Sequence, residues 1–307
     1  MSALLIPLLG LTQDLMGSDF GAALKPVIMM FTGMDEGVIP NLLAATVIAA
    51  LFAGNLFLLA LMRFRYQVVV VWGELVVLFM AFFASFDLSY VFIGKKLYQL
   101  VVVGAAMTIF ISLASIVFAC LLAFAGALAR LSRNGLAFAA ATFYISFFRG
   151  TPLLLQVYLI YLGLPQIGWT ISAVPAGIIA LTLCYGAYMA EIFRAGIQSV
   201  PRGQWEAATA MGLHTGLVLR LVVLPQAIKT VIPAIGNQFI AMLKDSSLVS
   251  VLGVWELMFL AKTLGRSEFR HLEMLITAAV VYWIISGMFE LIQSRIEARY
   301  RTGDERS

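Results

Sequence analysis

Long apolar runs alternate with short polar connections along this chain, near Asn41–Met62, Gln67–Ser85, Leu97–Ala129, Leu136–Leu164, Ser172–Ile197, Val222–Leu248 and Leu272–Ser294. A helix takes ~20 mostly apolar residues to span hydrocarbon, and each run is of that order, whereas the weak alternation of a transmembrane barrel is absent. The pattern predicts an all-α, polytopic membrane helix bundle. Before Asn41, the residues Asp14, Asp19, Lys25, Pro26, Asp35 and Glu36 interrupt the hydrophobicity, so that segment reads equally as an interfacial helix or a short span. Met1 to Met16 is apolar but has neither the basic start nor the small-residue cleavage site of a signal peptide, and is expected to be retained.

Composition narrows the class. With 62% hydrophobic and 12% charged residues among 307, and a mean hydropathy of +0.98, a soluble globular domain is excluded. The net charge of +4 comes from Lys and Arg between and after the apolar runs, which speaks for orientation and against nucleic-acid binding. In alternate connections, Arg63, Arg65, Arg130, Arg133, Arg194, Arg202, Arg220, Lys229, Arg295, Arg299, Arg301 and Arg306 fall on one side. Lys25, Lys95, Lys96, Lys262, Arg266 and Arg270 fall on the other. The Arg-rich side is expected in the cytoplasm, which puts the N-terminus outside and the C-terminus inside. Cys120 and Cys184 lie within apolar runs and read as packing residues. His214 and His271 are isolated, with no carboxylate or Cys at ligand spacing, so no metal site is expected. A Walker loop, paired catalytic carboxylates and a serine nucleophile elbow are all missing, so neither catalysis nor nucleotide binding is expected of this chain.

The polar insertion Ser199–Leu221 stands out from the compact bundle. Ser199 suits a helix cap, Pro201 a first turn, and a short helix is expected through Trp205, Glu206, Ala207 and Ala208. Gly212 should end it, and Pro225 marks entry to the next span. From Glu206 the chain reads Glu-Ala-Ala, three residues, Gly212, nine residues, then Val222-Val223-Leu224-Pro225. This resembles the EAA motif of the permease subunits of bacterial ABC importers, with Val222 where Ile is common. The resemblance implies an ATPase-coupling role for Glu206, Ala207, Ala208, Gly212, Leu224 and Pro225, seated in the socket of a cytoplasmic ATP-binding subunit. Small Ala207 and Ala208 would allow close docking, Glu206 would offer a charge and Gly212 the bend.

Arg149-Gly150-Thr151-Pro152-Leu153-Leu154, Tyr185 to Arg194, and Lys244-Asp245-Ser246-Ser247-Leu248 are similar to segments of the polar amino acid subfamily. That likeness implies the type I transmembrane fold, with a five-helix permease core at 97–299. An N-terminal extension at 1–96 with about two transmembrane helices precedes it, and a cytoplasmic tail at 300–307 follows. It also implies a bacterial inner-membrane location, ATP and magnesium on the partner ATPase, and a second permease subunit, same or related. An extracytoplasmic binding protein would deliver the amino acid. The rival is a secondary, ion-coupled amino acid transporter in which Glu191 and Asp245 would carry protons or sodium.

Ionisable residues inside a membrane are costly and invite a functional reading. Glu191, with Tyr188 on the same helix face, could meet a substrate ammonium group; equally, it could pair with Arg194. Lys244 and Asp245 point about 100° apart on a helix and need separate partners. The candidates are a substrate carboxylate for Lys244 and Arg149 for Asp245, with Asn237, Ser246 and Ser247 supplying neutral hydrogen bonds. Gly150-Thr151-Pro152 should break its span and start a half-helix at Pro152, either a kink or an anion-attracting helix end. Gly186, Ala187 and Ala190 form a small-residue face suited to helix packing.

Overall fold

The computed structural model describes residues 38–84, 86 and 88–301. The readings made of the segment before 38, with Lys25 and Asp35-Glu36, and of the tail beyond 301, with Arg306, lie outside the described residues. The described residues contain helices and no strand. The chain separates into two compact units, Met1–Leu88 and Ser89–Ser307.

In the first unit, α1 (Val38–Leu61) and α2 (Phe64–Ala84) make a hairpin whose apolar side chains, from residue 45 on, are almost all exposed, as lipid-facing surfaces require. Polar contacts cross the hairpin. Gln67 Nε2 donates to the Leu59 carbonyl at 2.8 Å, and Asn55 Nδ2 donates to Glu74 Oε2 at 3.1 Å. Glu74 stands midway along α2, and the Asn55 amide partly compensates a carboxylate that would otherwise face hydrocarbon alone.

The second unit opens with a continuous helical run: α3 (Tyr90–Tyr98), a π-type segment Gln99–Ala105 and α4 (Ala106–Leu131). Then come α5 (Gly135–Gly150), α6 (Leu153–Tyr158) with a π and 3-10 continuation to Ile167, and α7 (Ala173–Gln198). Two short surface helices, α8 (Arg202–Ala210) and α9 (Thr215–Val218), lead through a π turn into α10 (Leu224–Asp245). A 3-10 turn, Ser246–Leu252, precedes α11 (Leu257–Ser267) and α12 (His271–Arg301). Among the described residues of both units, five helical runs are long and apolar enough to cross a membrane, α2 and four in the second unit, or six if the bent pair at Pro152 is one span; Ala45–Leu61 is a shorter apolar helix. The run expected at Leu136–Leu164 is not straight: its halves meet at 109°, because Pro152 has no amide to continue the ladder.

Lipid gives apolar side chains no reason to leave it, so close approach between helices rests on small residues and dispersion. The pairing of α4 with α7 follows that rule. Ala119 and Ala123 share one cluster with Ala176, Ala180 and Ala190, all fully buried, and a Cβ on Gly126 would stand 3.3 Å from that of Ala190. Gly186 leaves room where a Cβ would stand 2.7 Å from the Tyr144 hydroxyl, so the face of Gly186, Ala187 and Ala190 is a packing surface, as its composition predicts. Cys184 is buried in this core, Cys120 packs against it, and both are free thiols.

Candidate functional site

The coupling insertion is a compact knob. Trp205 and Ala208 of α8 turn inward onto a cluster of Ile197, Val200, Val218, Val223 and Ala227. Glu206 and Ala207 turn outward and are exposed. Of the two small residues expected to allow docking, Ala208 therefore packs the knob itself and Ala207 faces out. Gly212 adopts φ 82° and closes α8: its amide donates to the Thr209 carbonyl at 2.9 Å, and the Leu213 amide to Ala208 at 3.3 Å. Ser199 does not open α8. It ends α7, with its amide on the Ala195 carbonyl and its hydroxyl on Gly196, and Pro201 occupies the cap position. The helical run entering the next span begins at Thr215, ten residues before Pro225, because a proline in the first turn of α10 leaves the preceding π turn intact.

Along α7, Tyr185, Tyr188, Glu191 and Arg194 recur at three-residue steps, each a neighbour of the next on a path that winds around the helix. The Tyr185 hydroxyl donates to Asp245 Oδ2 at 2.8 Å. Asp245 thus takes a partner other than the expected Arg149, because a buried phenol needs an acceptor and the end of α10 supplies one. Arg149 instead sets its guanidinium 5.3 Å from the centre of the Tyr188 ring. Lys244 and Asp245 are both exposed and do not pair with each other, as their angular offset predicts; Lys244 has no side-chain partner among the described residues. Two of the three expected neutral helpers are engaged elsewhere. Ser246 is buried and donates to the Leu243 carbonyl at 2.8 Å, while Asn237 Oδ1 accepts from Gln293 on α12 at 3.0 Å.

Glu191 is held within the chain. Arg194 donates to its Oε2 through Nε at 2.9 Å and through a terminal nitrogen at 2.7 Å, and Arg130 of α4 approaches Oε1 at 3.6 Å. The carboxylate therefore ties α4 to α7. Replacing Glu191 by alanine leaves two half-buried guanidinium groups in one corner, and about 1–3 kcal/mol of stability should go with it. The expected result is a lowered thermal midpoint with an unchanged KM for transport. A raised KM at unchanged stability would make Glu191 a substrate contact instead.

The break at Pro152 has a device that composition did not reveal. Gln156, 2% exposed, donates from Nε2 to the Phe148 carbonyl at 2.9 Å, to the Thr151 carbonyl at 3.1 Å and to Thr151 Oγ1 at 2.9 Å. Thr151 Oγ1 donates to Phe147 at 2.9 Å. Carbonyls freed at the end of α5 are thereby met by side chains, which is what allows irregular backbone at membrane depth. A lone amide in the apolar stretch after a Gly-Thr-Pro break was the available signal. Among the described residues no group of three or more His, Cys, Asp or Glu could hold a metal ion.

The profile of the family "binding-protein-dependent transport system inner membrane component" matches residues 115–302. The chain belongs to this family of ABC transporter permeases. It is a transport subunit, not an enzyme. The probable amino-acid ABC transporter permease YckA of Bacillus subtilis (strain 168) is 36% identical over 219 residues, covering 70% of this chain and 97% of that one. The arginine transport system permease ArtQ of the same organism is 37% identical over 202 residues, 66% of this chain and 92% of its own. A crystal structure of an amino acid ABC transporter with histidines superposes with a TM-score of 0.66 at 37% identity, covering 70% of this chain and all of that one. The ion-coupled rival finds no support in these matches.

Proposed function

We propose that this permease imports polar amino acids across the bacterial cytoplasmic membrane, working beside a second permease subunit, the same chain or a relative. ATP and magnesium act on a separate cytoplasmic subunit that receives the α8 knob, and an extracytoplasmic binding protein delivers the substrate. The observation that carries this reading is the exposed Glu206–Ala207 face on a short helix rooted in its own buried cluster and closed at Gly212. Such a knob can transmit a push to α7 and α10 without deforming, since its base is packed against both. In this reading α8 and the C-terminus lie in the cytoplasm and the N-terminus outside.

The substrate class is supported by relatives whose names give amino acids and by charges of both signs on membrane-spanning elements. An amino acid zwitterion needs an anionic and a cationic partner. Asp245, oriented by Tyr185, offers the first; Arg149 over Tyr188, together with exposed Lys244, offers the second. Thr151, Pro152 and Ser247 complete the proposed pathway, while Glu191, Ser246 and Asn237 hold its walls.

Purification with native partners tests the reading. A nucleotide-binding chain should co-purify, and uptake of labelled amino acids into vesicles should require ATP and ignore ionophores. Uptake that runs without nucleotide and collapses with a protonophore would overturn it in favour of ion coupling.

A further inference from the structure

Four turns among the described residues place a residue in the left-handed conformation: Gly168 (φ 88°), Gly212 (φ 82°), Gly253 (φ 79°) and Phe269 (φ 55°). Glycine fills that position without a side-chain clash, and three of the four turns use it. The fourth has the same hydrogen bonds as the turn at Gly212. The Phe269 amide donates to the Arg266 carbonyl at 3.4 Å and the Arg270 amide to Gly265 at 2.8 Å, closing α11. A bulky residue at positive φ is strained, and Phe269 recovers nothing by packing, since it is 91% exposed. The fold would be better served by glycine here, so the ring's use lies outside this chain.

The turn presents that ring rigidly. Glu268 pairs with Lys96 at 3.3 Å and Arg270 with Glu273 at 2.7 Å. Gly265 has no Cβ, which lets the Arg270 carbonyl and His271 Cα come within 3.1 and 2.9 Å of where one would be. The other end of α11 is pinned through the buried Glu256, which caps it. The turn also lies on the face opposite the knob: the 22 residues of α10 carry the chain about 33 Å away from it, and α12 brings the chain back.

We propose that Phe269 is an anchor for the extracytoplasmic binding protein, inserting into an apolar pocket on that partner. This rests on the importer reading above. An aromatic centre inside a rim of charges, here Lys96, Arg266, Glu268 and Arg270, has the anatomy of a protein–protein hot spot. A ring held fixed before binding loses little entropy on docking. The family is binding-protein-dependent by description, and in the importer reading that protein meets the face away from the ATPase. Membrane-interface belts favour Trp and Tyr, and exposed Trp169 and Trp255 are suited to that role.

The complex of this permease with its ATPase, in lipid nanodiscs, is titrated with the amino-acid binding protein that co-purifies with it, and stimulated ATPase activity is read. Phe269→Gly should keep the basal ATPase and an equal or higher thermal midpoint, yet raise the half-saturating binding-protein concentration by at least about tenfold, the scale of a lost aromatic anchor. Phe269→Tyr should stay near wild type. Unchanged stimulation in Phe269→Gly would overturn the proposal, and so would a lowered midpoint with unchanged binding-protein affinity, which would make the ring a membrane anchor. A wild-type complex that the binding protein does not stimulate at all would instead sink the importer reading.

Discussion

Replacing Gly212 by valine is expected to abolish ATP-driven uptake while the chain remains inserted and its membrane helices intact. The argument is local. Gly212 sits at φ 82°, where an L-residue costs roughly 1–2 kcal/mol and a β-branched one more. A Cβ there meets nothing within 4 Å, so the penalty is one of backbone conformation and not of crowding. Relief comes by opening the turn, which breaks the bonds from Gly212 and Leu213 to Thr209 and Ala208 and frees the end of α8. The face carrying Glu206 and Ala207 then loses its fixed angle to α7 and α10, and a push from the ATPase no longer reaches the spans. Asparagine tolerates the left-handed conformation, so Gly212→Asn should retain much of the transport. Proteoliposomes holding the whole complex provide the measurement, as uptake rate per ATP hydrolysed. Equal coupling in the valine variant would show that the angle of α8 does not matter.

Legibility in the sequence followed the range of the interaction. The spans could be read because burial in lipid demands an unbroken apolar run, and the break at Gly150-Thr151-Pro152 because proline acts on its own backbone. Gly212 could be read for the same reason, since the left-handed turn is a property of the residue that adopts it. Partnerships between distant positions could not. Asp245 and Tyr185 are separated by 60 residues, and nothing in either neighbourhood announces that one orients the other. Ser199 has the residue type of a helix start, yet its hydroxyl closes the helix before it, because the proline two positions on already fills the cap. Glu74 and Glu256 carry no sequence signal for a related reason: each is a single carboxylate whose meaning depends on a donor from another helix. Phe269 is the reverse case, a local strain hidden by an ordinary residue type.

Glu256 should be the side chain whose loss costs this fold most. It is wholly buried, and three donors converge on it: the Met258 amide at 2.9 Å, the Phe259 amide at 2.6 Å and the Tyr282 hydroxyl at 2.8 Å. Two of these are first-turn amides of α11, which no intrahelical carbonyl can satisfy. The third joins α11 to α12. Beside them the Leu257 amide donates to Thr108 Oγ1 at 3.2 Å, and Gly104 admits the Leu257 backbone where a Cβ would be 2.9 Å from its Cα, so the start of α11 is pressed directly against the run from α3 to α4. Alanine at 256 leaves all three donors unmet in a dry site, at about 1–3 kcal/mol each. Partial relaxation brings the sum to about 3–5 kcal/mol, a large share of any domain's stability. The thermal midpoint of the purified chain should fall by roughly 10 °C. Glu256→Gln, which keeps one acceptor oxygen, should fall between alanine and wild type, and Tyr282→Phe, which removes a single bond, should cost least. A midpoint in Glu256→Ala within a degree of wild type would mean that water reaches this carboxylate and that α11 is held by its apolar face alone.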